Sequence, residues 1–222
     1  MTKRSFIIDT TSLSTARPLL DNGFYAGTIV NASVEGKEGK QYFKIVEEKV
    51  WNKDTGTREP TGDYILSGMI VFGVVLTSKK AIKLLQQDEP RFFGNIFLRF
   101  DKETYALQDN IPLGQLLNTV GLGTTNFGEM VDFEYDDDIE VPEELETIPD
   151  IVGKLNALEF NKQLCELICQ AINNQPVKAK IIKQVSQDNP DTQENVLDRG
   201  SRYAPFCGVL PYEDGCEEDL ED

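Results

Sequence analysis

Three stretches of the chain interleave aromatic and cationic residues. Tyr25, Lys40, Tyr42, Lys44, Lys49 and Trp51 fall in the first, Arg91, Phe93 and Arg99 in the second, and Lys178 and Lys180 in the third. An aromatic ring can stack a nucleobase, an interaction worth about 1–3 kcal/mol per base, while a neighbouring cation holds the backbone phosphate. Residues of these types in alternation can therefore grip an unpaired strand without reading its sequence. The competing reading is ordinary cross-strand packing. On that reading Phe92, Phe97 and Phe100 are core residues and the lysines form a solvated face.

Other chemistries have less to stand on. The chain contains no histidine. That removes Ser-His and Cys-His catalysis, His-ligated metals and the commonest general base. Asp136, Asp137 and Asp138 are a carboxylate cluster, but no Asp-x-Asp-x-Asp-Gly loop surrounds them, so a solvated acidic loop is the better reading than a metal-dependent nuclease. Cys165 and Cys169 share a helix face, with Cys207 and Cys216 near the end. They lack the Cys-x-x-Cys pairs of four-thiolate zinc sites and read as free thiols. No Walker loop, Gly-x-Gly-x-x-Gly or Gly-x-Ser-x-Gly is present. The expectation is a non-catalytic protein with no cofactor and no metal.

Charge is distributed unevenly. The 222 residues carry a net charge of −16, which argues against a simple basic binder of phosphates. Residues 132–150 hold ten acidic residues and no basic one, and residues 213–222 hold seven acidic residues. These two segments contribute −17, so the remainder sums to +1 and has room for a basic face. The last segment is too charged to fold alone and reads as a disordered acidic tail. It can mimic nucleic acid, either in the protein's own groove or toward a partner. No apolar run reaches the roughly 20 residues of a membrane helix, and the N-terminus lacks a signal-peptide core, so the expected location is cytoplasmic.

The elements that must position these residues follow from periodicity. Gly23 to Trp51 reads as a β-hairpin turning at Glu35–Lys40, where Gly36 and Gly39 can take positive φ. On its second arm Phe43 and Ile45 face a core while Tyr42 and Lys44 face solvent. Asn52 to Gly62 reads as a polar loop. Asp63 to Leu76 reads as a long central strand with a bend or bulge at Gly68 or Gly73. Residues 78–87 form a short helix capped by Ser78, and residues 91–100 a strand. Residues 109–120 and 155–173 form helices, residues 177–185 a strand, and residues 195–197 a short returning strand. Strands interrupted by isolated helices suggest a mainly β, α+β protein: a small curved barrel with helical insertions.

The Gly23-x-Tyr25-x-Gly27-x-Ile29 opening, the Glu38-Gly39-Lys40 turn, the mid-chain helices, the Val177–Ile182 strand and the acidic end together resemble the phage-type single-stranded DNA-binding proteins of the OB-fold class. The resemblance implies one OB-like nucleic-acid-binding domain over residues 1–212 and an acidic tail over residues 213–222. It implies an accessory role in DNA replication or recombination, in the host cytoplasm for a phage-encoded chain. Tyr25, Tyr42, Lys44 and Trp51 would line the groove. Glu217, Glu218, Asp219, Leu220, Glu221 and Asp222 would contact a polymerase, helicase or recombinase. The second acidic run and the absence of a terminal aromatic depart from that pattern. Homo-oligomerisation is left open, and the rival reading is an acidic protein that mimics DNA and captures or inhibits a basic partner.

Overall fold

The strand Thr57–Leu76, β3, is the one on which the others assemble. Its β-branched and aromatic residues favour an extended chain. Ile70, Phe72, Val74 and Leu76 lie on one face with almost no exposure, as a period of two requires. In the computed structural model, which describes residues 18–36, 39–108, 111–122, 130–201 and 204–212, β3 is flanked by β1 (Gly23–Ser33), β2 (Lys44–Asn52) and β4 (Arg91–Leu98). The remaining strands are β5 (Pro176–Val185), β6 (Gln193–Leu197) and β7 (Val209–Pro211).

All seven belong to one antiparallel sheet that is not closed. Its order is β2-β3-β1-β5-β6, with β4 added on β3 and β7 on β5. The Lys180 N–H donates to the Gly208 carbonyl at 2.9 Å, and its carbonyl accepts from the Asp198 N–H at 2.8 Å. β6 and β7 therefore follow one another along a single edge of β5. The sheet also curves far enough to bring β4 against β6. A Cβ placed on Gly94 of β4 would lie 2.5 Å from the Phe72 ring and 3.0 Å from Leu197 of β6, so glycine is required for that approach.

Among the described residues are the helices α1 (Lys79–Leu85), α2 (Ile111–Thr119) and α3 (Ile151–Ile172). Ser78 Oγ accepts from the Ala81 N–H at 3.5 Å and caps α1. α3 buries Leu164, Cys165, Ile168, Cys169 and Ile172 against the inner face of β1 and β3. The acidic run between α2 and α3 has a single 3-10 turn, Glu143–Leu145, and is laid along α3. Phe133 packs edge-to-face on Phe160 at 5.5 Å. The Asn156 amide exchanges hydrogen bonds with the Asp136 main chain at 2.8 and 2.9 Å. The Tyr105 hydroxyl donates to Asp150 at 2.6 Å and accepts from Lys154 at 3.2 Å.

The structure corrects several sequence expectations. β1 and β2 do not form a hairpin with each other. Among the described residues the Glu35–Gln41 bridge and the Gly36 N–H to Lys40 carbonyl bond join the segments between them, and β1 instead pairs with β3 and β5. The true hairpin is β2–β3, turning at residues 53–56, so most of the expected loop at Asn52–Gly62 is strand. Its main-chain ladder needs no apolar side chains. β3 is irregular in two places: against β2 at residues 61–63, where Gly62 has φ of 83°, and against β1 next to the expected Gly73, where the register shifts between the Val30–Gly73 and Ser33–Val71 pairs and Asn31 has φ of 53°; none falls at Gly68. Gly68 instead admits the rings of Phe43 and Phe100, each about 3 Å from where its Cβ would be.

Candidate nucleic-acid interface

Strand parity decides which β4 side chains can meet a ligand. Gly94, Ile96 and Leu98 point into the core. Arg91, Phe93, Asn95, Phe97 and Arg99 consequently point outward. Phe93 is 60% exposed and Phe97 69%. The pairings Phe93–Gly73 and Phe97–Met69 place each ring beside the outer face of β3. The space beside Gly73 is taken by Val30 and the Arg91 stem, 3.2 and 3.8 Å from where a Cβ would be. Four residues of strand separate the two rings, about 13 Å.

The surrounding strands carry little that would repel an anion. β1 has no charged residue, nor has β3 from Tyr64 to Leu76. β4 with its neighbour Arg99 contributes two arginines, and β5 contributes Lys178, Lys180 and Lys183, with no acidic residue in any of these segments. In a chain of net charge −16 this is a strong segregation, and the acidic run sits on α3 instead. These lysines have partners within the chain. Lys180 pairs with Asp198 at 2.8 Å and lies over the Phe206 ring at 5.8 Å, and Lys183 pairs with Asp21 at 2.8 Å. Burial works to raise the Asp198 pKa, but the bonds from Lys180 and the Gly200 N–H outweigh it and hold the carboxyl below its usual range. Arg91 pairs with Glu89 at 3.5 Å. Beyond Arg91 a cleft of about 1060 Å³ opens between the start of β4 and the β5–β6 turn, bordered by Gln87, Phe92, Thr192 and Asn195 and also by the acidic Asp191 and Glu194, so the anion-tolerant surface stops short of it.

The other sequence-derived candidates divide. Tyr25 is not a groove residue. It is 6% exposed, on the inward face with Ile29, and its hydroxyl donates to the Asp21 carbonyl at 2.8 Å. Burial, with Asp21 nearby, raises its pKa. Tyr42 is half-buried over Gly36, while Lys40 and Lys44 are exposed near the root of β2. Lys49 and Trp51 lie far out on the β2–β3 arm, opposite Pro60 and Arg58. Glu217, Glu218, Asp219, Leu220, Glu221 and Asp222 lie outside the described residues. Phe97 stands out most clearly against the core expectation, and the alternation with Gly94, Ile96 and Leu98 was the signal for it. Phe92 and Phe100 do pack against the core.

Cys165, Cys169 and Cys207 are buried free thiols. Burial pushes Cys169 up to about 12 and Cys207 up to about 11. Among the described residues no three His, Cys, Asp or Glu side chains are grouped to hold a metal ion. No helix among them is long and apolar enough to cross a membrane. Compared with protein-family models, with curated proteins and with solved structures, the chain matches none.

Proposed function

We propose that this chain is a non-catalytic, sequence-independent single-stranded DNA-binding protein built on an OB-like barrel. One observation carries the reading: two outward phenylalanines on β4 stand between two arginines, beside a stretch of β3, Tyr64 to Leu76, that like β4 has no acidic residue. The rings supply stacking surfaces that every base can use, and the arginines supply phosphate contacts. The strand order supports the barrel. The order β4-β3-β1-β5-β6, with β4 brought against β6 and α3 inserted between β4 and β5, is the order that a five-stranded Greek-key barrel would have. In that architecture the second and third strands, here β3 and β4, present the oligonucleotide face, and the loops beside them flank it. The acidic tail, residues 213–222, would compete for this face or dock replication and recombination proteins.

The test is fluorescence anisotropy of a labelled oligo-dT, titrated with the full chain and with a chain ending at Tyr212 across a salt series. The expected result is binding that weakens with salt and tightens on truncation. Absence of binding by both chains at low salt refutes the reading and leaves the acidic DNA mimic in its place.

A further inference from the structure

The β2–β3 arm carries a second aromatic and cationic group, and strand parity places it on the other face of the sheet. Opposed residues in an antiparallel pair point to the same side. Ile45 opposes Leu66, which is buried, so Ile45, Glu47, Lys49 and Trp51 lie on the face that continues the core side of β3. Phe93 and Phe97 lie on the opposite face. Beyond the irregularity at residues 61–63, the core-side face of the arm presents Lys49, Trp51, Arg58 and Pro60. Both of its charges are positive. The acidic Glu59 belongs to the other face, where Asn52 and Thr55 each donate to it at 2.9 Å. Trp51 is the only tryptophan of the chain and is 61% exposed, with Arg58 directly across from it.

From Met69, beside Phe97, to Arg58 the chain runs eleven residues, of which the irregularity at residues 61–63 takes up about two, leaving roughly 30 Å of strand. Near the irregularity Lys102 pairs with Glu48 of the arm at 2.7 Å. A short strand seated along β4 does not reach Trp51 without crossing a sheet edge.

We infer that the Lys49–Trp51–Arg58 face of the arm is a second single-stranded DNA site, separate from β4, so that one chain holds two strand segments at once. This rests on the single-strand reading of β4. The chemistry is the same at both places: a ring for a base and cations for the flanking phosphates. What differs is the side of the sheet, so the chain bridges two segments instead of lengthening one footprint.

The experiment uses the full chain. Trp51 emission reports on the arm directly, because no other tryptophan contributes. Titration with oligo-dT is expected to quench it in the wild type and also in F93A/F97A. In parallel, donor- and acceptor-labelled oligo-dT are mixed with equimolar protein, with light scattering recording the mass. Energy transfer between the two oligonucleotides is expected in the wild type. It is expected to fall at least about tenfold in W51A/R58A, while that variant keeps its anisotropy-measured binding of one oligonucleotide within about threefold. Oligonucleotide binding without Trp51 quenching overturns this inference and leaves the β4 reading standing. Transfer that persists in W51A/R58A also overturns it, as does transfer that disappears only together with a self-associated species, which would make the arm a protein contact. A wild type that binds no oligonucleotide removes both.

Discussion

Replacing Phe93 and Phe97 together by alanine separates stacking from charge at the β4 face. Each stacked base is worth about 1–3 kcal/mol, so losing both rings costs about 2–6 kcal/mol of binding. The lower end corresponds to an affinity loss of about 30-fold. Folding should register the change modestly. With 60% and 69% of the two residues already in water, the remaining part of a burial worth 1.5–3 kcal/mol is at stake at each position, about 0.5–1.2 kcal/mol. The contrasting variant, R91A/R99A, removes up to two phosphate contacts. Its logarithmic salt slope should become shallower by about 1.4, since single strands give a slope of about 0.7 per contact. The phenylalanine variant should keep the wild-type slope. Anisotropy at four or five salt concentrations, with circular dichroism to check folding, reads both quantities. A folded F93A/F97A chain that binds within threefold of wild type refutes the assignment of stacking to β4.

Three further outcomes test the fold. G94A should lower the melting temperature by about 2–12 °C, because the new methyl meets the Phe72 ring at 2.5 Å and Leu197 at 3.0 Å and overpacking costs about 1–3 kcal/mol; an unchanged melting temperature would show that β4 and β6 do not meet there. Asp198 titrates below its usual range in the folded chain, so its contribution is present above the unfolded carboxylate pKa of about 3.9 and disappears as pH falls through the folded value. D198N should therefore melt below wild type at pH 7, with the gap closing below about pH 4, and a gap that widens in acid contradicts the Lys180 pairing. Of the four cysteines, Cys165, Cys169 and Cys207 are buried with raised pKa values. A thiol reagent at pH 8 should find no more than one fast thiol in the native chain and four in denaturant.

Elements with strong local signals were readable in the sequence. The β-branched run of β3, the alternation of β5 and the apolar stripe of α3 each encode their own conformation. Partner choice was less readable. The glycines near residues 36–39 do turn the chain, with Gly39 at φ of 73°, but the alignment of β1 with β5 is set by core packing some 150 residues away. Tyr25 has a ring fit for stacking, and nothing near it in sequence reports that Asp21 satisfies its hydroxyl inside the fold. The arm was hidden because Pro60, Gly62 and many polar residues imitate a loop. At the candidate site, Arg91, Phe93 and Arg99 were found from residue type. Phe97 required trusting strict alternation over the tendency of phenylalanine to be buried.

The pairing of β1 with β5 also bears on how the chain is made. Gly23 aligns with Ile181 and Phe24 with Lys180. A ribosome adding about 5–20 residues per second needs about 8–30 s to move from one strand to the other. Through that interval the nascent β1 has β3 on one side and an unpaired main-chain edge on the other, an invitation to pairing with neighbouring nascent chains. Contacts this distant in sequence also make for slow folding. Yield in a cell should therefore depend on how well that edge is shielded during synthesis, and slower growth temperatures or chaperone supply should raise the soluble fraction without any change to the finished fold.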